Sequence, residues 1–445
     1  MAVAVVIAGL VLVVMVRPEV GRPPNRWLDV ALMACLLAVA LQLVPLPPSL
    51  RLAISPAAAD LDASLRFDMS SGVARPLSID PASTIMSLTL AVGFVLLFWC
   101  ARSTFASGGV RVTTRAVTWF ALVLAAVGMM QHLTAPGLMY WRWAAPSGVR
   151  PFGPFMNHSD FASWLVMALP LVAGYAVAGI ESRTRTGSRS RSRVDVDANA
   201  IWLFVVLCLV SAALVVALSR SGLVGGAVGV IAFGWLSSSR MSRRTRTWFL
   251  FAHLLLVLVA AAYVNPRALS LRISETLAVG LGPRRAVWHE TWPMVRDFWA
   301  TGVGAGAYQD GMVVYQQSSR AFYFNHAHNE YLQLLAEGGV LLAVPAFFAV
   351  IAAISRIRAR LTADRSPAFS IRAGAVAGLV AIAVQSLWET GLRIPANGML
   401  FAVLAALAMA ASPASYGSGG SGYPTYPTVP DLPDPPDLPD LPGIA

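Results

Sequence analysis

The chain has 445 residues, 57% of them hydrophobic and only 12% charged, with a formal net charge of +11. A soluble chain carries about a quarter charged residues, so a surface that faces water all round is excluded. No lysine occurs, so the 33 basic residues are all arginine, and where they cluster says more than how many there are.

Apolar stretches follow one another from the first residue. They cover 1–16, 27–44, 85–100, 117–130, 161–180, 200–218, 223–236, 248–264, 341–354, 373–387 and 399–411. Several approach the roughly 20 residues that cross a ~30 Å hydrocarbon core, and shorter ones cross where their flanks snorkel or the bilayer thins. The stretch 1–16 has no basic region before it and no small-residue cleavage site after it. It reads as a membrane helix entered abruptly, as if a helix before it were missing, and not as a secretory signal. Arginines gather at 17–26, 102–115, 183–193 (RTRTGSRSRSR), 240–246 (RMSRRTR) and 356–372, whereas 48–83, 133–160 and the long 265–337 are mixed or balanced. Placing every arginine cluster in the cytoplasm gives about eleven spans, with the N-terminus outside and the C-terminus inside. RTRTGSRSRSR is then a positive-inside anchor, ahead of a nucleic-acid or lipid site. The expected fold is an all-α, polytopic membrane domain over 1–411.

Cys35, Cys100 and Cys208 fall in separate apolar stretches and match neither a disulfide framework nor a zinc motif. They read as packing residues. Residues 412–445 change character, from a Gly/Ser hinge to repeated Pro-Asp-Leu with only acidic charges. Such a tail cannot bury a core and is expected to be disordered or polyproline-like, in the cytoplasm.

Chemistry is sought in polar groups near the membrane and in long loops. The stretch 265–337 is too long to be a mere connector and holds GPRRAVWHETWPMVRDFWATGVGAGAY followed by FNHAHNEYLQLLAE. Two arginines stand out elsewhere. Arg150 precedes the apolar stretch at 161, and Arg220 lies in LSRSG between two spans too close for a real loop. In that short turn, flanked by Ser219, Ser221 and Gly222, backbone N–H groups are left free. Its arginine either snorkels as an anchor or binds an anion such as phosphate. From His326 to Glu337 the apolar positions follow helical spacing, with His326, Glu330, Gln333 and Glu337 on a polar stripe and His328 on the inward face. Asn325 or Asn329 can cap the helix start, and Gly338-Gly339 interrupts it. Three readings compete for HAHN: a metal site, a polar cap, or a general base at the membrane surface. A metal is disfavoured because zinc helices use histidines at i and i+4, whereas these lie at i and i+2. The Gly302-x-Gly304-x-Gly306 run lacks the strand before it that a dinucleotide loop needs, and reads as a tight turn.

HAHNEYLQLLAEGG resembles the signature of the bacterial O-antigen ligase/polymerase family, and FMNHSDFASWLVMALPL, LSRSG, RRAVWHETWPMVRDFWATGVGAGAY and WETGLRIPANGMLFAVL resemble further family segments in the expected order. The resemblance runs from about Arg150 to Leu407. It implies a GT-C-like, metal-independent inverting glycosyltransferase without cofactor. The implied donor is a glycan on undecaprenyl diphosphate at the periplasmic face of the bacterial inner membrane. The implied acceptor is lipid A-core or a growing polysaccharide. By the same resemblance His328 matches the catalytic histidine, and Arg220 and Arg284 match arginines that hold the diphosphate. Arg150, Asn157, Arg285, His326, Asn329 and Glu330 are candidate supporting residues. Departures from the family pattern are Leu342 for glycine, Ser159 for asparagine and Phe298 for proline. The alternative is a polysaccharide or anion transporter with arginines along its path. It would be expected to show internal repeats or paired broken helices, which are not evident.

Overall fold

Helices make up nearly all the regular structure of the computed structural model, which describes residues 2–65, 73–146, 149–185, 198–240, 282–318, 323–366 and 368–410. In chain order they are α1 (Ala2–Val16), α2 (Arg26–Leu41), α3 (Pro48–Ile54), α4 (Pro56–Leu65), α5 (Pro81–Ala106), α6 (Val110–Thr134), α7 (His158–Arg185), α8 (Ala198–Val216) and α9 (Arg220–Leu236). After these come α10 (Gly282–Asp297), α11 (Tyr308–Tyr315), α12 (Glu330–Ala363), α13 (Phe369–Gln385) and α14 (Pro395–Met409). A two-residue hairpin pairs β1 (Leu138–Met139) with β2 (Trp143–Ala144). Ten of the eleven apolar stretches coincide with helices, and 248–264 lies outside the described residues, as does the tail from 411. Among the described residues four helices are long and apolar enough to cross a membrane: α5, α6, α7 over His158–Glu181, and α12. The protein is therefore a multi-pass helical membrane protein.

α7 is the centre of the bundle. It is apolar all round, 89% of its membrane-length window is buried, and a helix of that kind has to be enclosed by others. Its closest neighbour is α13, and the two meet backbone to backbone. A Cβ on Gly374 would stand 2.3 Å from the Pro170 carbonyl oxygen, and one on Gly378 would stand 2.5 Å from that of Met167. Small residues at such contacts let helices pack without hydrophobic drive from water. α12 is the opposite case, with only 6% of its window buried. Phe347, Phe348, Val350, Ile351 and Ile354 are exposed along it, the surface expected against lipid.

Alternation of the helices sorts the connections to two ends. At one end Arg102 makes a bidentate pair with buried Asp29 at 2.7 and 2.9 Å, Arg356 donates to Asn25, and Arg240 donates to the Asp364 carbonyl. The described arginine-rich connections meet here. At the other end lie 42–65, 73–80, 135–146, 149–157, 217–219, 282–318, 323–329 and 386–394. There α10, α11 and α4 share a small apolar core of their own, around Met294, Phe298, Tyr308 and Met312.

The glycine run seats this cap on the bundle. Gly302, Gly304 and Gly306 all have positive φ, and a Cβ on Gly302 would meet the Glu337 carbonyl group at 2.2 Å. Gly339 in α12 also has positive φ (53°), so the helix breaks where the run crosses it. Val303 N–H donates to Ala336 O and Gly304 N–H to Glu337 O, while Val340 N–H and Leu341 N–H return to Trp299 O and Ala300 O. The tight turn expected from spacing is present, and it caps the backbone freed by the Gly338-Gly339 interruption.

Candidate functional site

Three short segments converge at the capped end: 217–222 between α8 and α9, 323–330 ahead of α12, and 386–394 between α13 and α14. The last was not singled out for its side chains, yet Glu389 lies at the centre. The residue is 7% exposed. Arg284 donates to Oε1 through a terminal guanidinium nitrogen, Ser221 Oγ donates to the same oxygen at 3.3 Å, and His328 Nδ1 lies 3.6 Å from Oε2. Burial alone would push Glu389 up. The imidazole, the guanidinium and the hydroxyl outweigh it and hold the carboxyl below its ordinary range.

His328 does not sit on a helix. Its φ is +47°, in the left-handed region that a right-handed helix cannot accommodate. α12 begins only at Glu330, with Asn329 as N-cap accepting from Leu332 N–H at 3.0 Å. The helical phase expected for 326–329 is therefore corrected. The polar spacing at 326, 330, 333 and 337 mimics helix periodicity, but the cap residue starts the helix after the histidines. Left-handed backbone turns His328 inward instead. Its Nδ1 is fully buried while the side chain is 41% exposed, so the open edge of the ring is the one bearing Nε2. A non-glycine residue held in this conformation stores strain, and such residues cluster at functional sites.

His326 belongs to a second, adjacent network. Gln333 Nε2 lies 3.3 Å from His326 Nδ1 and donates to Glu337 Oε1 at 3.0 Å. Arg393 closes on Glu337 with two bonds of 3.1 and 2.9 Å and reaches Glu330 at 3.7 Å. Burial, then the charge of Arg393, push the His326 imidazole down to about 4, so the ring is neutral at ordinary pH. The stripe read from spacing is real as a network, and its organiser is Arg393, sixty-three residues beyond Glu330. Among the described residues no group of three His, Cys, Asp or Glu side chains is arranged to hold a metal ion.

The remaining candidates are spread around this centre. Arg220 is the first residue of α9, next to Ser221, in a turn where Leu218 is also left-handed (φ 51°). The turn's N–H groups are not all free as expected, because Ser219 Oγ accepts from Gly222 N–H and Ser219 O from Leu223 N–H. Asn157 has a local task, its Oδ1 accepting from Ser159 N–H at the start of α7, and Ser159 Oγ meets Ser219 Oγ at 3.2 Å. Arg150 is exposed, and its carbonyl accepts from His158 N–H. Arg285 is exposed on α10 and is not brought to the Glu389 cluster. Asp160, not expected, lies within electrostatic reach of both Glu389 and His328.

A signal for Glu389 did exist. It is the one carboxylate between Asp364 and Asp431, and an isolated acid in an apolar chain is a candidate for function. Chemically the cluster offers an imidazole whose Nδ1 lies 3.6 Å from a carboxylate and whose Nε2 edge is open. Beside it is a guanidinium with further N–H donors for an anion.

Residues 203–347 match the model of the O-antigen ligase family, and this bears out the resemblance read from the sequence. The match covers about a third of the chain and contains Arg220, Arg284, His326 and His328, while Glu389 and Arg393 fall beyond it. No curated protein matches the chain.

Proposed function

With residues 203–347 matching the O-antigen ligases, we propose that this membrane enzyme transfers a glycan from undecaprenyl diphosphate to a hydroxyl of an acceptor glycan. The route is inverting and metal-independent. In this reading the chain is of the GT-C type, with about eleven spans in the bacterial inner membrane and the Glu389 cluster at the periplasmic face. The observation that carries the reading is His328 Nδ1 set against buried Glu389, whose other oxygen takes Arg284.

The acceptor hydroxyl gives its proton to His328 Nε2 as its oxygen bonds to the anomeric carbon. The anomeric C–O bond breaks, and its electron pair leaves with undecaprenyl diphosphate. Arg284 and Arg220 hold the diphosphate and stabilise the charge that develops on it, so the leaving group needs no acid. Glu389 keeps the imidazole oriented and stabilises its protonated form. Ligase and polymerase share this chemistry and differ in the acceptor, lipid A-core for one and a second lipid-linked saccharide for the other.

The test is transfer by the purified protein in nanodiscs from a lipid-diphosphate glycan, with those two acceptors offered as rivals and EDTA present. Wild type is expected to extend one of them. His328→Ala is expected to lose at least about a hundredfold in rate, the range for a positioned base, with membrane insertion unchanged. Full activity in that variant would remove the base assignment.

A further inference from the structure

A cleft of about 460 Å³ is lined by Trp288, His289, Trp292 and Pro293 of α10 and by Asn329 and Leu332 at the start of α12, and so reaches the residue that follows the candidate base. We propose that it is the acceptor-glycan subsite, holding a sugar ring against the indoles so that its hydroxyl reaches His328. The proposal rests on the transferase reading above and adds where the acceptor lies.

Continuity with the site is the first support. Trp288 Nε1 donates to the Ala327 carbonyl at 2.9 Å, which pins the indole level with His328, and Asn329 is the residue after it. Order along α10 is the second. Arg284, Trp288 and Trp292 are four residues apart, so they share one helix face at steps of about 6 Å. Displacement with inversion puts the nucleophile opposite the leaving group. A diphosphate at Arg284 and a base level with Trp288 therefore send the acceptor away along the helix, towards Trp292.

Chemistry is the third. The size is ordinary for a small-molecule cleft, and apolar walls with a few polar groups are the usual composition. The C–H face of a pyranose stacks on an aromatic plane, while its hydroxyls need donors and acceptors. Trp292 is 59% exposed and Trp288 is half-buried, so the two can present such planes. His289 supplies ring nitrogens. Asn329 Oδ1 is taken by the helix cap, and its amide N–H2 remains as donor. An exposed tryptophan alone would suit a membrane-interface belt. Two of them around a concavity with a histidine and an asparagine suit a carbohydrate.

The experiment titrates the full-length protein in nanodiscs, in separate arms, with the oligosaccharide freed by mild acid from lipid A-core and with that freed from the host membrane's own lipid-linked glycan, each followed by saturation-transfer NMR. Wild type is expected to bind saturably the one whose lipid-bound form it extends in transfer, and the variants are compared on that one. Trp292→Ala is expected to weaken binding at least tenfold and Trp292→Phe less. Trp299→Ala, which removes an exposed indole outside the cleft, is expected to bind as wild type. Binding indifferent to Trp292, or quenching of Trp292 fluorescence by brominated acyl chains, would overturn the subsite. Transfer from the lipid-diphosphate donor, measured in parallel, judges the enzymatic reading separately. Transfer with Trp292-independent binding sinks the subsite alone. Trp292-dependent binding without transfer keeps the carbohydrate site and sinks the transferase.

Discussion

Replacing Glu389 by glutamine keeps the size of the side chain and removes its charge, which isolates what the carboxylate does for His328. The His328 Nδ1 to Glu389 Oε2 separation of 3.6 Å corresponds to about 4–5 kcal/mol between unit charges at an effective dielectric near 20. His328 is 41% exposed, and screening by water reduces the usable part to about 1.5–3 kcal/mol. In the proposed mechanism that attraction exists only once the imidazole has taken the acceptor's proton, so its loss falls on the transition state. Glu389→Gln is expected to lower kcat about 10- to 150-fold. KM for the lipid donor should hold or fall, because Arg284, the proposed diphosphate ligand, loses its internal partner Glu389. Steady-state transfer in nanodiscs, with donor varied at saturating acceptor, separates the two constants. A variant within twofold of wild-type kcat, or one whose loss lies wholly in KM, would refute the positioning role.

The further outcomes concern stability. Glu337→Ala strips Arg393 of its bidentate partner while the guanidinium stays three-quarters buried, with Glu330 left at 3.7 Å. The expected cost is about 2–4 kcal/mol, read as a lower thermal unfolding midpoint in detergent, and an unchanged midpoint would deny the network a structural part. Gly374→Val puts a Cβ 2.3 Å from Pro170 O between α7 and α13 and should abolish folded yield on size exclusion. Gly179→Ala meets nothing within 4 Å and should express normally. His326, held near pH 4 by burial and Arg393, is neutral when folded but titrates near 6.5 when unfolded. The unfolded state then binds the extra proton, so this contribution is fully present above pH 6.5 and is lost as pH falls from 6.5 to about 4. It amounts to at most about 3 kcal/mol, and His326→Gln should flatten that window in melts run across pH.

The membrane class was legible because lipid leaves little freedom: a chain with 12% charge must turn apolar surface outward, and helices satisfy their own backbone. The glycine run, the Asn329 cap and the helix break at Gly339 were legible too, since each depends on a residue's own backbone preference. What separates His328 from His326 in the structure is backbone conformation, not the helical phase that separated them in the sequence. Both histidines precede the helix, and the left-handed φ of His328 aims its ring. Glu389 and Arg393 could not be assigned partners from the chain alone. Ion pairing acts through space, and Glu389 lies 61 positions from His328 and Arg393 lies 63 from Glu330. Only the approach of the α13–α14 turn to the start of α12, held by Glu330 N–H on Ser386 O at 2.9 Å, brings the carboxylate to the imidazole. Sequence determined what each segment is able to be, because propensity and hydropathy are local. The tertiary structure decided which charges meet, because helix packing alone sets those distances.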